Sequence, residues 1–305
     1  MASLHQLQLF LTTYAAGSLT GAADELGMAQ PSVSEQIRLL ERSVGAQLFR
    51  RVGRGVVPTE AAEALRPHAE QAIGAVAAGQ RAVGAVTGIT SGTIRFGLFG
   101  SARLYLGAQL VQDVLTRHPG VRVELVGQNS TEVQQHLVRG YVEAALIAIP
   151  VSAERMTVQP VARDELVYLS AEPSRLAKPV TGATLANADL VLPETTYRDE
   201  DSSRRLLREF VQRTGNTLQT RIEVEDAETA VEIVAHGLAD SVLPLGAAKQ
   251  LLPRLAPNAG WVALRPRIHD VFALVHRRDA MLSPAAQSVI DLATKRIRSI
   301  AEPVL

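Results

Sequence analysis

The chain has 305 residues, 47% hydrophobic and 20% charged, enough for roughly two or three packed domains. Lys+Arg and Asp+Glu each number 31, so net charge is zero and any nucleic-acid footprint has to be local. The absence of cysteine excludes disulfides, thiol catalysis and thiol redox sensing, and no apolar run approaches a membrane span. The start of the chain lacks a basic region followed by a hydrophobic core, so the expectation is cytoplasmic residence without a secretory signal.

Leu4, Leu7, Phe10, Leu11 and Tyr14 repeat at helical spacing and predict a first helix. Ser18 can cap a second one, in which Leu19, Ala22, Ala23 and Leu26 make one apolar stripe and which Gly27 stops. Pro31 suits the first turn of a third helix, where its missing N–H does no harm. Val33, Ile37 and Leu40 form the buried face of that helix. Pro31, Glu35, Arg38 and Arg42 share the opposite face, with Ser32 and Ser34 flanking. A helix with a short, polar, partly basic outer face, held by a preceding helix and turn, suits the major groove. An ordinary helical hairpin in a small bundle would show the same stripes.

Downstream, Leu48-Phe49 and Val56-Val57 flank Gly53-Arg54-Gly55, which predicts a tight hairpin. Arg50, Arg51 and Arg54 put three positive charges on it with no acid between Glu41 and Glu60. Beside a recognition helix such a wing can touch phosphates; elsewhere it would be a solvated loop. Pro58-Thr59-Glu60 opens a long helix with Glu60 and Glu63 at its positive end. Ala62, Leu65, Ala69, Ala72, Val76, Gly79, Val83 and Val86 keep a 3,4 alternation, a seam of small residues through which two helices could dimerise or one could pack on its own domain. Pro67 predicts a bend.

Thr87–Gly92 reads as a polar hinge. Strand 93–98, a helix to Arg117, strand 121–126, a helix from Ser130 or Thr131 to Gly140 and strand 142–149 then spell βαβαβ, a parallel sheet covered by helices. A second unit starts near Tyr168, with strands at 190–192, 220–224 and 241–243 and helices at 201–214 and 226–236. The strand at 272–275 and the helix from Ser283 return to the first unit. Two such lobes joined by crossover strands make a cleft, with helix N-termini facing it. Ser101, Ser130 and Thr131 sit at strand-to-helix turns, where a hydroxyl either caps its helix or meets a ligand. Arg103 and Arg198 could pair an anion or lie exposed. The expected ligand is an organic anion of modest size.

No catalytic or cofactor pattern stands out. Gly88–Gly92 misplaces its serine for a nucleophile elbow, no strand is followed by G-x-G-x-x-G or a P-loop, and no histidines pair at i, i+4. A ligand-binding protein or α/β enzyme without operator DNA is the alternative, and it leaves the first ninety or so residues unexplained.

Residues 4–66 resemble the winged helix-turn-helix of the LysR-type transcriptional regulators. The resemblance rests on Gly17-Ser-Leu-Thr20, Ala22-Ala23, Leu26, Gln30-Pro-Ser-Val-Ser34, Gln36-Ile37, Leu40-Glu41, Gly45, Leu48-Phe49-Arg50 and Pro58-Thr59. Val231–Pro244 is similar to the family's helix-glycine-strand-proline signature, and the resemblance extends through the second half. Ala62 and Ala239-Asp240 stand where glycine is more usual, and Pro67 is less usual. The resemblance implies an α+β multidomain fold: a winged helix-turn-helix over residues 1–58, a dimerising linker helix and hinge over 59–92, and a two-lobed α/β, periplasmic-binding-protein-like effector domain over 93–305. Lobe I would take about 93–165 and 268–305, lobe II about 166–267. The DNA-facing set is then Ser18, Gln30, Pro31, Ser32, Ser34, Glu35, Arg38, Arg50, Arg51 and Arg54. Carried over by position, Ser101, Ala102, Ser130 and Thr131 face Thr195, Thr196 and Asp226 across the effector cleft. Implied partners are double-stranded promoter DNA, a small-molecule effector and further copies of the chain, as dimer and tetramer. No catalytic residue, metal, cofactor or membrane is implied.

Overall fold

A computed structural model describes residues 2–53, 55–86, 92–150, 156–194, 196, 201–278, 280 and 282–304. They form two compact units, one over Met1–Val83 with Val138–Tyr141 and one over Gly84–Leu137 with Val142–Leu305. No helix among them is long and apolar enough to cross a membrane.

In the first unit, α1 (Leu4–Ala16) opens on a capping box in which Ser3 and Gln6 satisfy each other's backbone N–H. Gly17, at φ +59°, ends it, and the Ser18 hydroxyl caps α2 (Leu19–Leu26) by accepting from Gly21 N–H at 3.3 Å. Gly27, at φ +62°, turns the chain into α3 (Gln30–Val44). The predicted stripe is the buried one: Val33, Ile37 and Leu40 pack with Leu9, Phe10, Ala22 and Ala23. Each fully buried leucine or phenylalanine contributes about 1.5–3 kcal/mol. The hairpin β1 (Phe49–Val52) and β2 (Gly55–Pro58) pairs Val52 with Gly55. Arg54 itself lies outside the described residues.

The helix α4 (Glu60–Val86) runs through Pro67 for 27 residues, roughly 40 Å. The tyrosine at the end of α1 braces it. Tyr14 Oη donates to Glu63 at 2.6 Å, and Arg66 donates to Tyr14 at 3.0 Å while lying 4.8 Å above its ring. Here the structure divides the seam read from sequence. Ala62 and Ala69 are fully buried in the winged unit's own core, with Leu65 packed beside them, whereas Val76 is 42% exposed. Only the later part of the seam remains available to another chain. The side chains of Val83 and Val86 and the hinge at 87–91 lie outside the described residues.

The second unit carries the predicted βαβαβ. It runs β3 (Gly92–Leu98), α5 (Gly100–Arg117), β4 (Val121–Val126), α6 (Ser130–Val138) and β5 (Ala144–Ile149), with β3 parallel to both β4 and β5. A 15-residue strand, β6 (Met156–Ser170), then leaves this lobe for the next. Lobe II contains β7 (Val180–Thr181), α7 (Gly182–Ala186), β8 (Val191–Leu192), α8 (Ser202–Gln212), β9 (Ile222–Glu223), α9 (Ala227–Ala235), β10 (Ser241–Pro244), α10 (Leu245–Leu255) and β11 (Gly260–Arg265). The chain returns through β12 (His269–Arg277), and α11 (Pro284–Ile300) and β13 (Glu302–Pro303) close lobe I.

The large sheet has the order β4-β3-β5-β12-β6-β11-β7, with β10 and β13 also on β6. Thus the first stretch of β6 pairs with β12 in lobe I and its last residues pair with β10 and β11 in lobe II. Each lobe has its own apolar core, around Phe96, Leu106 and Phe272 in one and around Val231, Leu243 and Leu251 in the other. A buried polar join ties the lobes: Tyr105 of α5 donates to Asp164 of β6, which also accepts from Gly246 N–H at 2.9 Å. The Tyr105 oxygen accepts from Ala247 N–H at 3.1 Å, so the first turn of α10 is anchored on α5.

Candidate functional site

Two places in the chain have the form of a binding site. The first is the outer face of α3. Pro31, Ser32, Glu35 and Arg38 are exposed there, and Gln30 and Ser34 are half-buried. Glu35 holds Arg42 at 3.0 Å and Arg38 at 3.8 Å, with all three side chains at least half exposed. Solvated pairs of this kind are worth about 0–1 kcal/mol, so Arg38 can leave Glu35 at small cost when a better acceptor arrives. Ser18 sits at the head of α2 with its hydroxyl engaged in the cap.

The wing is fixed to this helix by a residue that sequence reading matched but gave no role. Glu41, in the last part of α3, accepts from the N–H groups of Leu48 at 2.7 Å and Phe49 at 3.3 Å. Charge-assisted bonds to backbone donors are among the stronger ones, and these set where β1 starts. From the other side, Val56 N–H donates to Gly17 O at 2.8 Å, and a Cβ on Gly55 would come within 2.8 Å of that same carbonyl. Glycine is therefore needed at 55 for close approach. Arg50 and Arg51 are exposed and project to opposite faces of the hairpin.

The second place is a cavity of about 250 Å³ between the lobes of the second unit. The starts of α5, α8 and α9 converge on it, together with Gln128, the turn after β8 and the strand β10. Helix N-termini with open N–H groups favour anions. Here the chain's own side chains cap two of the three, and α5 has no side-chain cap. Asp201 caps α8 by accepting from Arg204 N–H at 2.9 Å, and Asp226 caps α9 by accepting from Thr229 N–H at 2.7 Å. At α5, Gly100 N–H donates to Gln128 O at 2.6 Å, and a Cβ on Gly100 would lie 3.2 Å from Glu194 Oε1.

Glu194 follows β8 and is the one non-glycine residue with positive φ, +65°, among the described residues. For a side chain of this size that backbone is costly and needs its surroundings to hold it. Burial, then the charges of Asp201 and Glu225, push its carboxyl up to about 8. Burial also raises Asp201, and it pushes Asp270, just behind Ser203 of the lining, up to about 7. The lining holds the carboxyls of Glu194, Asp201, Glu225, Asp226 and Glu228 against the guanidiniums of Arg103 and Arg204. Both guanidiniums are engaged: Arg103 donates to Gly127 O at 2.9 Å, and Arg204 pairs Glu223 at 2.7 Å.

Of the residues expected at the cleft, the structure brings Ser101 and Asp226 to the cavity wall. Ala102 is fully buried in the lobe I core. Ser130 is buried, its hydroxyl accepting from Ala148 N–H at 2.9 Å, so it joins α6 to β5. Thr131 is half-buried beside it, away from the wall. The Thr196 hydroxyl donates to Glu225 at 2.9 Å and is exposed. Thr195 and Arg198 lie outside the described residues. The sequence reading missed Glu194, Glu225 and Arg204. The acid density of Glu223-Val-Glu-Asp-Ala-Glu228 was the visible signal for part of this set.

Comparison with known proteins gives matches over nearly the whole chain. Residues 4–63 match the bacterial regulatory helix-turn-helix protein, lysR family, and residues 87–298 match the LysR substrate binding domain. The nitrogen assimilation regulatory protein nac of Klebsiella aerogenes is 31% identical over 295 residues, covering 95% of this chain and 93% of the relative. A RuBisCO operon transcriptional regulator of Allochromatium vinosum is 28% identical, covering 93% of each. In fold, the chain is similar to full-length CbnR solved in complex with its target DNA, with TM-score 0.66, 20% identity, and coverage of 98% of this chain and 100% of that one.

Proposed function

The chain belongs to the LysR family of DNA-binding transcriptional regulators with a substrate-binding domain, and from that we propose how its parts divide the work. The outer face of α3, from Gln30 to Arg38, enters a major groove and reads bases. Arg50, Arg51 and Arg54 on the wing hold the flanking backbone. A small molecule binds in the cavity between the lobes and binds one arrangement of the oligomer better than another, which shifts promoter activity. The oligomer is a dimer through the exposed later part of α4, paired further into a tetramer, and it works in the cytoplasm beside its operator.

The observation that carries the reading is the arrangement of α3 and the wing. A single buried core, Val33, Ile37 and Leu40 against Leu9 and Phe10, leaves Arg38 outward, and Glu41 ties the cationic hairpin to the same helix. Replacing Arg38 by alanine is expected to cost about 1–3 kcal/mol at its cognate base pair, with little change on unrelated DNA. Arg51→Ala is expected to weaken binding to all sequences alike and to reduce the salt slope by about 0.9. Titrations of operator and random duplex at several salt concentrations separate the two. An Arg38→Ala protein that lost affinity equally for both duplexes would show that α3 does not read sequence.

A further inference from the structure

We propose that the ligand of the inter-lobe cavity is a small organic cation, an amine or guanidine, whose positive group is received by Glu194 and Glu225. The inference rests on the regulator reading for the site, which the substrate-binding-domain match and the cavity supply, and it adds the chemical class.

The first reason is that two of the three helix starts at the cavity are already capped by carboxylates. Among the helix starts at the cavity, α8 and α9 are capped by Asp201 and Asp226, and the first N–H of α5 is spent on Gln128 O with the Glu194 carboxyl alongside. A carboxylate ligand would meet only the second and third N–H groups of α5, which has no side-chain cap, with the Glu194 carboxyl alongside. The second reason is the balance of the wall. Five carboxyls face two guanidiniums, and Arg204, only 8% exposed, is already committed to Glu223. A recess in which carboxyls outnumber guanidiniums concentrates cations. The third reason is Glu194 itself, held with a left-handed backbone and its carboxyl at the wall where it has no basic partner among the hydrogen bonds and ion pairs of the described residues. A half-buried carboxyl in that state is costly as an anion and gains from an arriving cation. The volume suits a metabolite smaller than drug-sized ligands, whose pockets run to about 300–1,000 Å³.

Proton linkage follows. The charged groups facing Glu194 are Arg103 of α5, Glu132 of α6, Asp201 and Arg204 of α8, and Glu225 ahead of α9. With its carboxyl at about 8 in the empty cavity, Glu194 releases a proton when a cation binds, so affinity rises with pH across that value.

The test uses the full-length protein with named probes: agmatine, putrescine and butylguanidine as cations, succinate and benzoate as anions. Calorimetry and thermal melting are expected to show binding of at least one cation and of neither anion. Butylguanidine, whose own charge is fixed, is expected to bind about tenfold more tightly at pH 9 than at pH 7. Glu194→Gln is expected to lose at least tenfold in affinity and to flatten that profile. Glu225→Gln, as a second variant, is expected to lose affinity and to move the profile to lower pH, because the Glu225 charge helps to raise Glu194. No cation binding at millimolar concentration, anion binding in place of cation binding, or an unchanged Glu194→Gln would each overturn the proposal. None of these results bears on operator binding, so failure here is distinguishable from failure of the regulator reading, which selection of DNA by the same protein decides.

Discussion

A Val76→Asp protein is expected to lose the α4 interface, to sediment as a smaller assembly than wild type, and to lose at least a hundredfold in operator affinity while both units stay folded. The argument starts from how α4 is shared. Ala62 and Ala69 are buried in the winged core and Leu65 packs against it, so that part of the helix is not open to a second chain. Val76 lies about two turns beyond the last of these on the same stripe, and it keeps 42% of its surface exposed, unusual for valine on a helix face that repeats apolar residues. In a helix-to-helix dimer that valine is covered. An aspartate there would bury an unpaired charge, which costs several kcal/mol unless the helices part. Two winged units on one dimer bind their two half-sites as a linked pair, and losing the link costs about 10²–10⁴ in avidity. Because Ala62, Leu65 and Ala69 are untouched, each chain should melt near the wild-type temperature. Sedimentation equilibrium decides the matter: a Val76→Asp protein that sediments like wild type would remove this part of α4 from the interface.

Asp270→Asn is expected to stabilise the second unit at pH 8 by about 2–4 kcal/mol. Asp270 opens β12, one of the strands that cross between lobes, and is fully buried. Ser203 donates to one of its oxygens, and the other has no partner among the described residues. Burial is the main cause that pushes its carboxyl up to about 7, with the charges of Asp201 and Asp164 adding to it. An unfolded aspartate titrates near about 3.9, so the folded chain holds an extra proton between roughly pH 4 and 7. The sign is therefore definite. The contribution is most favourable below pH 4, declines as pH rises through 7, and above that the buried charge costs on the order of 4 kcal/mol. Asparagine keeps the bond from Ser203 and cannot ionise. Urea titrations from pH 5 to 8 should show a sloping stability for the wild type and a flatter one for the variant. A variant less stable than wild type at pH 8 would mean that the Asp270 charge is compensated.

The first unit was legible because its signals are local. Val33, Ile37 and Leu40 show a 3.6 period within one helix, Ser18 and Gly27 mark the ends of α2, and the hairpin that pairs Val52 with Gly55 is written in its glycines. The βαβαβ of lobe I read out for the same reason. The strand β6 did not. Most of it alternates loosely while its last five residues, Leu166–Ser170, are buried without a break, because it passes from a sheet with one covered face into a crossing covered on both. Pro160 also reads as a strand breaker, and the structure places it where the β6–β12 register shifts by a residue, a position that tolerates proline. The helix α10 was missed because Pro253 falls near its end. At the cavity, Asp201 and Asp226 could be read as helix caps, since capping is decided within four residues. Glu194 could not. Its role depends on a left-handed backbone and on residues brought from α5, α6 and α8, none of them near it along the chain except those of α8. Ser130 shows the reverse case: a hydroxyl at a strand-to-helix turn, read as a ligand group, is used to hold β5.

The central claim is that this chain recognises specific DNA through α3 and its wing. The most direct measurement is to sequence the fragments that the purified full-length protein retains from sheared genomic DNA at moderate salt. The account predicts a small number of discrete loci that share a two-fold-related motif, and the loss of that shared motif from the fragments retained by Arg38→Ala. Retention of fragments in proportion to their length, with no common sequence and no difference between wild type and Arg38→Ala, would contradict it.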